Sequence, residues 1–286
     1  MNDLKAKEKL KEFLLEDIGD HDLTSRLLFS RDEKAQAWII AKDAGILAGV
    51  DLIDMTYQLI DQTVEVIKHK NDGERFEKGD RIAKVTGEMS TILTGERVVL
   101  NLLQRMSGIA TLTDQASKQL NSNHTKIVDT RKTTPGLRMF EKYAVTCGGG
   151  YNHRFGLYDG VMIKDNHIAL YGSIEKAVEK VKSKLGHMVK IEVETESITQ
   201  VEEAVRVGAD IIMFDNQSPE AIIEGLKIIP DNIVTEASGN ITLDTIANFR
   251  DTGIDYISLG FITHAARSID ISMDIQLKGE LEHAST

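Results

Sequence analysis

From Leu4 to Leu15, charged residues alternate with leucine and phenylalanine at helical spacing, and the run stops before Asp17-Ile18-Gly19-Asp20. Strand composition follows at 37–41, 64–68 and 81–85, with Asn71-Asp72-Gly73 and Lys78-Gly79-Asp80 as turns before the last of these. Residues 51–61 read as a helix between them. From Ser90 to about Leu120, apolar residues recur at three and four positions (Leu93, Leu100, Leu103, then Ile109 and Leu112), predicting a long helix interrupted at Gly108. This first third mixes helix and strand, as a sandwich-like domain would.

The rhythm changes from Lys126 onward. Short apolar runs at 127–128, 161–163, 189–193, 211–214, 233–234 and 256–259 are each followed by a helical stretch. Ser197-Ile198-Thr199-Gln200 fits a capping box, and Ser218-Pro219 places an N-cap before a proline at the first helical position. Strand alternating with helix in this way predicts a parallel sheet, closed into a barrel or open and doubly wound. No Gly-x-Gly-x-x-Gly follows the first strand, which favours the barrel over a dinucleotide-binding sheet. The expected fold class is therefore α/β, with an N-terminal α/β sandwich over 1–112, joined by 269–286, and a barrel over 113–268.

Charge refines this picture. The 286 residues carry 45 acidic and 34 basic side chains, a formal net charge of −11. An average this negative argues against nucleic acid or an anionic membrane as a partner. The lone cysteine, Cys147, excludes an internal disulfide and a cysteine-rich zinc site, and it has no His/Asn signature of a nucleophile. The charged N-terminal helix lacks the apolar stretch of a signal peptide, and no apolar run approaches the ~20 residues that span a bilayer. The chain reads as a soluble, cytosolic protein. Trp38 reads as a core residue, and His21, His69, His124 and His187 as surface or structural histidines.

Barrels of this kind carry their chemistry at the C-terminal strand ends. In order, those ends hold Asp129-Thr130-Arg131-Lys132, Lys164-Asp165-Asn166-His167, Glu192 and Glu194, Asp215-Asn216, Glu236 to Asn240, and Ser258 to Gly260. Polar loops are ordinary, but carboxylates inside apolar runs and cations directly after them are not. Between Asp129 and His167, six Lys or Arg stand against four acids, so this window is positive inside an acidic chain. It also holds Gly148-Gly149-Gly150, whose backbone N–H groups could approach an anion without Cβ interference. Arginine forks bind carboxylate or phosphate bidentately. The implied ligand is a small polyanion. Glu194 and Asp215 could hold Mg²⁺ through water, bond ribose hydroxyls, or pair the rim lysines.

These residues carry a specific likeness. Asp129 to Arg138, Gly148 to Arg154, Ile163 to His167, Glu192-Val193-Glu194 and Glu236 to Asn240 closely resemble the quinolinate phosphoribosyltransferase family. The likeness continues through Glu96-Arg97, Ser107 to Thr111 and Leu259 to Asp274, and covers nearly the whole chain in order. It implies an incomplete (β/α) barrel with an N-terminal α/β sandwich, and a homodimer in which one subunit helps to close the other's site. It also implies decarboxylating phosphoribosyl transfer from phosphoribosyl pyrophosphate to quinolinate, giving nicotinate mononucleotide, pyrophosphate and CO₂ for NAD biosynthesis.

By that resemblance, Arg131, His153, Arg154 and Lys164 bind the quinolinate dicarboxylate, with Arg97 arriving from a partner subunit. Lys132, Glu194 and Asp215 are the catalytic set, addressing phosphoribosyl pyrophosphate and its Mg²⁺, with Glu194 and Asp215 on the metal side. Ser238, Gly239 and Gly260 contact the 5′-phosphate. Three other readings of the residues stand beside it: a paralogue associated with molybdate transport, a Schiff-base aldolase using Lys164, and an anion-binding protein without turnover.

Overall fold

The computed structural model describes residues 1–30 and 32–277. Its elements run α1 (Asp3–Ile18), α2 (Leu23–Leu28), β1 (Lys34–Ala41), β2 (Gly45–Ile46), α3 (Asp51–Ile60), β3 (Glu65–Lys68), β4 (Arg75–Phe76), β5 (Arg81–Glu88) and the long α4 (Met89–Leu120). Then follow β6 (Lys126–Val128), α5 (Arg138–Cys147), β7 (Val161–Ile163), α6 (Asp165–Tyr171), α7 (Ile174–Lys182), β8 (Ile191–Thr195), α8 (Ile198–Arg206) and β9 (Ile211–Asp215). The last are α9 (Pro219–Leu226), β10 (Val234–Ser238), β11 (Tyr256–Ser258), α10 (Phe261–His264) and β12 (Ile271–Leu277). No described helix is long and apolar enough to cross a membrane.

Two compact units emerge, one of 1–112, 136–148 and the described residues from 266, the other of 113–135 and 149–265. The first holds a four-stranded antiparallel sheet in the order β12-β1-β5-β3. Strand β12 pairs with β1 from Ala35↔Leu277 to Ala41↔Ile271, so the chain returns to this unit near its end. Residues 278–286 of the expected 269–286 segment lie outside the described residues.

Strand β1 alternates strictly, burying Ala35, Ala37, Ile39 and Ala41 into a core shared with Tyr57, Phe76, Ile82 and Ile92. Trp38 points to the opposite face and is only half-buried, with the Arg81 guanidinium 4.1 Å from its ring centroid. The core assignment for Trp38 was wrong by one position of the pleat.

Helix α4 runs unbroken through Gly108 for 32 residues. That glycine marks a close approach instead: a Cβ there would lie 2.1 Å from the Arg267 carbonyl oxygen. Residues 136–148, expected with the barrel, belong to the first unit because α5 is fastened there. The Arg105 guanidinium donates to the fully buried Glu141 carboxylate at 2.8 and 3.1 Å, and the Tyr143 hydroxyl donates to Asp72 at 2.8 Å.

The second unit is a six-stranded parallel sheet in the order β6-β11-β10-β9-β8-β7. Successive strands β7 to β11 are neighbours and β6 lies beside β11, as in a ring left open between β6 and β7. Helices α7, α8 and α9 start at Ser173, Ser197 and Ser218, whose side chains accept the N–H of Lys176, Gln200 and Ala221. Each such cap contributes about 1 kcal/mol.

The two ends of the sheet differ in what their carboxylates do. At the N-terminal ends, Asp210 accepts the Ile191 N–H at 2.8 Å, and Asp255 accepts the Thr235 N–H at 2.9 Å. Those acids tie neighbouring strands together. At the C-terminal ends the acids face a cavity.

Candidate active site

The cavity, of about 600 Å³, opens at the C-terminal ends of the parallel strands. Three of its cationic side chains enter directly after strands: Arg131 and Lys132 after β6, and Lys164 after β7. Arg154 completes the group, its guanidinium fixed by donating to the Gly160 carbonyl at 2.8 Å. Burial first, and then Arg131, lower the pKa of Arg154, with Glu192 opposing them. The same cavity is lined by Glu194 on β8 and Asp215 at the end of β9, with Ser238, Gly239 and Asn240 closing β10.

Specific contacts hold this rim. The Lys164 ammonium donates to Glu194 at 2.5 Å. Asp215 accepts from the Asn216 amide at 2.7 Å, and the Asn216 side-chain oxygen accepts from Asn240 at 2.9 Å. Asn216 and Asn240 both adopt left-handed backbone, with φ of 53° and 52°. Gly239 sits between them with φ of 89°, and a Cβ there would lie 2.3 Å from the Asn216 oxygen. Only glycine fits this turn.

Beneath the rim, Asp129 is fully buried and accepts from the Asn152 amide at 2.6 Å and the His153 N–H at 2.9 Å. It seats the 152–153 segment against the end of β6. The ring of His153 is then clamped on both sides. Its Nδ1 accepts the Arg154 N–H at 2.7 Å, so the ring proton resides on Nε2, which lies 3.1 Å from Glu192 and 3.6 Å from Glu236.

His153, Glu192 and Glu236 offer one atom each within 4.8 Å of one another, a spacing that suits a metal. Burial first, and next the Glu192 charge, push the Glu236 carboxyl up to about 7, against His153, Ser258 and Lys164.

Of the residues singled out from the sequence, Arg131, Lys132, His153, Arg154, Lys164, Glu194, Asp215, Ser238 and Gly239 all line this one cavity. Gly260 does not line it. A Cβ at Gly260 would lie 2.9 Å from Lys132 Cδ, so the glycine leaves room for the Lys132 side chain. Arg97 is an exposed residue of α4 in the first unit, 3.6 Å from Glu96. Within Gly148 to Gly150, the Gly148 N–H caps α5 through Ala144 at 3.1 Å, and Gly149 takes the left-handed turn that ends the helix. Arg138 and Lys142 of the cationic window lie in the first unit with α5, and Lys142 is fully buried.

The sequence reading gave no task to Asp129, Asn216 or Glu236. Their signal was present in an Asp directly after an apolar run, an Asp-Asn pair at a strand end, and a Glu inside a strand. Burial and the Asp72 charge push the Cys147 thiol up to about 12, which disfavours the thiolate.

Comparison with known proteins bears directly on this geometry. Residues 109–274 match the C-terminal domain of quinolinate phosphoribosyl transferase, and residues 22–107 its N-terminal domain. A probable nicotinate-nucleotide pyrophosphorylase [carboxylating] of Bacillus subtilis is 55% identical over 98% of this chain and 96% of its own length. A crystal structure of NadC from Streptococcus pyogenes superposes with a TM-score of 0.94 at 41% identity, covering 97% of this chain and 98% of that one. The nicotinate-nucleotide pyrophosphorylase from Francisella tularensis gives a TM-score of 0.89 at 37% identity, over 96% and 98%. With both domains matched and identity this high along the whole length, the chain belongs to the quinolinate phosphoribosyl transferase family.

Proposed function

We propose that the cavity of the parallel-sheet unit carries out the family's reaction, transferring phosphoribose from phosphoribosyl pyrophosphate to quinolinate with loss of CO₂. Quinolinate phosphoribosyl transfer in NAD biosynthesis is the activity of this chain as a member of the family. One observation carries the assignment to this cavity: four Lys or Arg side chains of an acidic chain converge there, together with two carboxylates and a glycine turn. That suits a dicarboxylate on one side and a phosphorylated sugar on the other.

Arg131, Arg154 and Lys164 hold the quinolinate carboxylates and aim the ring nitrogen at ribose C1. His153, with both ring nitrogens engaged inside the protein, shapes the wall beside them. Glu194 stands where positive charge develops at C1 as pyrophosphate departs, and it stabilises that charge. Lys132 lies beside the leaving pyrophosphate. Ser238 and Gly239 receive the 5′-phosphate, with Gly260 acting through the Lys132 side chain that it accommodates.

The donor set Glu194, Asp215 and Asn216 consists of oxygen ligands, which suits Mg²⁺ held by carboxylates together with substrate phosphates. Bound there, Mg²⁺ supplies charge neutralisation for the pyrophosphate.

The exposed Arg97 completes a partner subunit's site in a homodimer, as the family resemblance implies. The test is pyrophosphate release with quinolinate, phosphoribosyl pyrophosphate and Mg²⁺. Activity requires both substrates, and Arg97→Ala and Lys164→Ala are each inactive alone. Mixed, they regain about a quarter of wild-type activity, because random pairing restores one intact site in half the dimers. No recovery on mixing refutes the shared site, and no pyrophosphate from wild-type protein refutes the reaction.

A further inference from the structure

Glu236, which lines the cavity, and Glu192, which lies beside it behind His153, are two carboxyl groups that the proposed reaction does not use. Glu192 and Glu236 are 3% and 4% exposed, and the Oε1 atom of each is buried without a hydrogen-bond partner. The Nε2–H of His153 serves Glu192 at 3.1 Å and stands too far from Glu236, at 3.6 Å, to bond it. Two buried carboxylates this close do not both remain ionised. Glu192 has the His153 Nε2–H within bonding reach and Glu236 does not, so Glu236 is the carboxyl without a donor. Glu236 also lines the cavity wall, within reach of a bound ligand.

We propose that Glu236 is the proton donor of the decarboxylation, delivering a proton to the pyridine carbon that loses CO₂. The inference rests on the reaction assigned to this cavity. When the C2–carboxylate bond breaks, its electron pair stays on C2 beside the positively charged ring nitrogen. The Glu236 O–H bond breaks in the same step, and its proton joins that pair to form the C2–H bond, so that CO₂ departs only as the proton arrives. Glu236 is left ionised and regains its proton from water entering the open cavity.

The surroundings suit a neutral acid. Burial and the Glu192 charge favour the protonated form, while His153, Lys164 and the Ser258 hydroxyl favour the ionised one, and Arg131 and Arg154 line the same cavity. The net effect raises the Glu236 carboxyl, so it keeps its proton to higher pH than an exposed glutamic acid.

The experiment is a single turnover of the full-length protein with quinolinate, phosphoribosyl pyrophosphate and Mg²⁺, measuring pyrophosphate and nicotinate mononucleotide separately. In wild type the two appear in equal amounts. Glu236→Gln keeps the side chain's shape and removes the acid. It lowers nicotinate mononucleotide formation by about 10²-fold and raises the ratio of pyrophosphate to mononucleotide above one, as the still-carboxylated nucleotide accumulates. Equal amounts in the variant, at an unchanged or a uniformly reduced rate, overturn the proposal. If the variant does not fold, the wild-type pH profile decides: mononucleotide formation falls as the pH is raised while pyrophosphate release does not, and parallel profiles overturn the proposal. Wild-type protein that releases no pyrophosphate overturns the underlying reaction instead.

Discussion

Arg131→Ala raises the dissociation constant for quinolinate by about 10²-fold and changes that for phosphoribosyl pyrophosphate by less than about threefold. A charge-assisted hydrogen bond is worth ~1.5–3 kcal/mol, and a bidentate grip on a carboxylate loses two. Arg131 enters the cavity after β6, beside Arg154, whereas the glycine turn follows β10 and Asp215 ends β9. Arg131→Lys recovers little, because an ammonium cannot reproduce the planar fork. Calorimetric titration of each substrate alone measures the effect. Equal losses for the two substrates contradict the division of the cavity.

Glu194→Gln acts on the rate. The carboxylate is nearly buried, with its side chain 11% exposed, and it lines the same cavity as the cations while paired with Lys164. In so enclosed a site a fixed negative charge stabilises a developing cation far more than it would in water. Its removal lowers kcat by about 10²–10³-fold. The isosteric amide leaves quinolinate affinity within about threefold of wild type. Steady-state kinetics with each substrate varied separates the two quantities. An unchanged kcat with a raised KM makes Glu194 a binding group only.

Much of the parallel sheet was legible because each of its strands is a short apolar run and three of its helices begin at a serine cap. The rim residues followed from the rule that chemistry collects at C-terminal strand ends, and Arg131, Lys164, Glu194 and Asp215 all lie there. What escaped depended on contacts distant in sequence. Gly108 resembles a helix break until Arg267 is seen to pass its Cα. The segment 136–148 reads as part of the barrel until Arg105 and Tyr143 tie it to the first unit. Trp38 has the composition of a core residue, but the pleat turns it to the other face. Glu236 is a Glu in a strand like any other until the fold sets it beside Glu192 under His153.

The central claim is that this cavity couples phosphoribosyl transfer to decarboxylation. The most direct measurement uses quinolinate labelled in the carboxylate at C2, incubated with phosphoribosyl pyrophosphate and Mg²⁺. One labelled CO₂ is released for each pyrophosphate formed, and none without phosphoribosyl pyrophosphate. Pyrophosphate formed without labelled CO₂, or labelled CO₂ released without phosphoribosyl pyrophosphate, contradicts it.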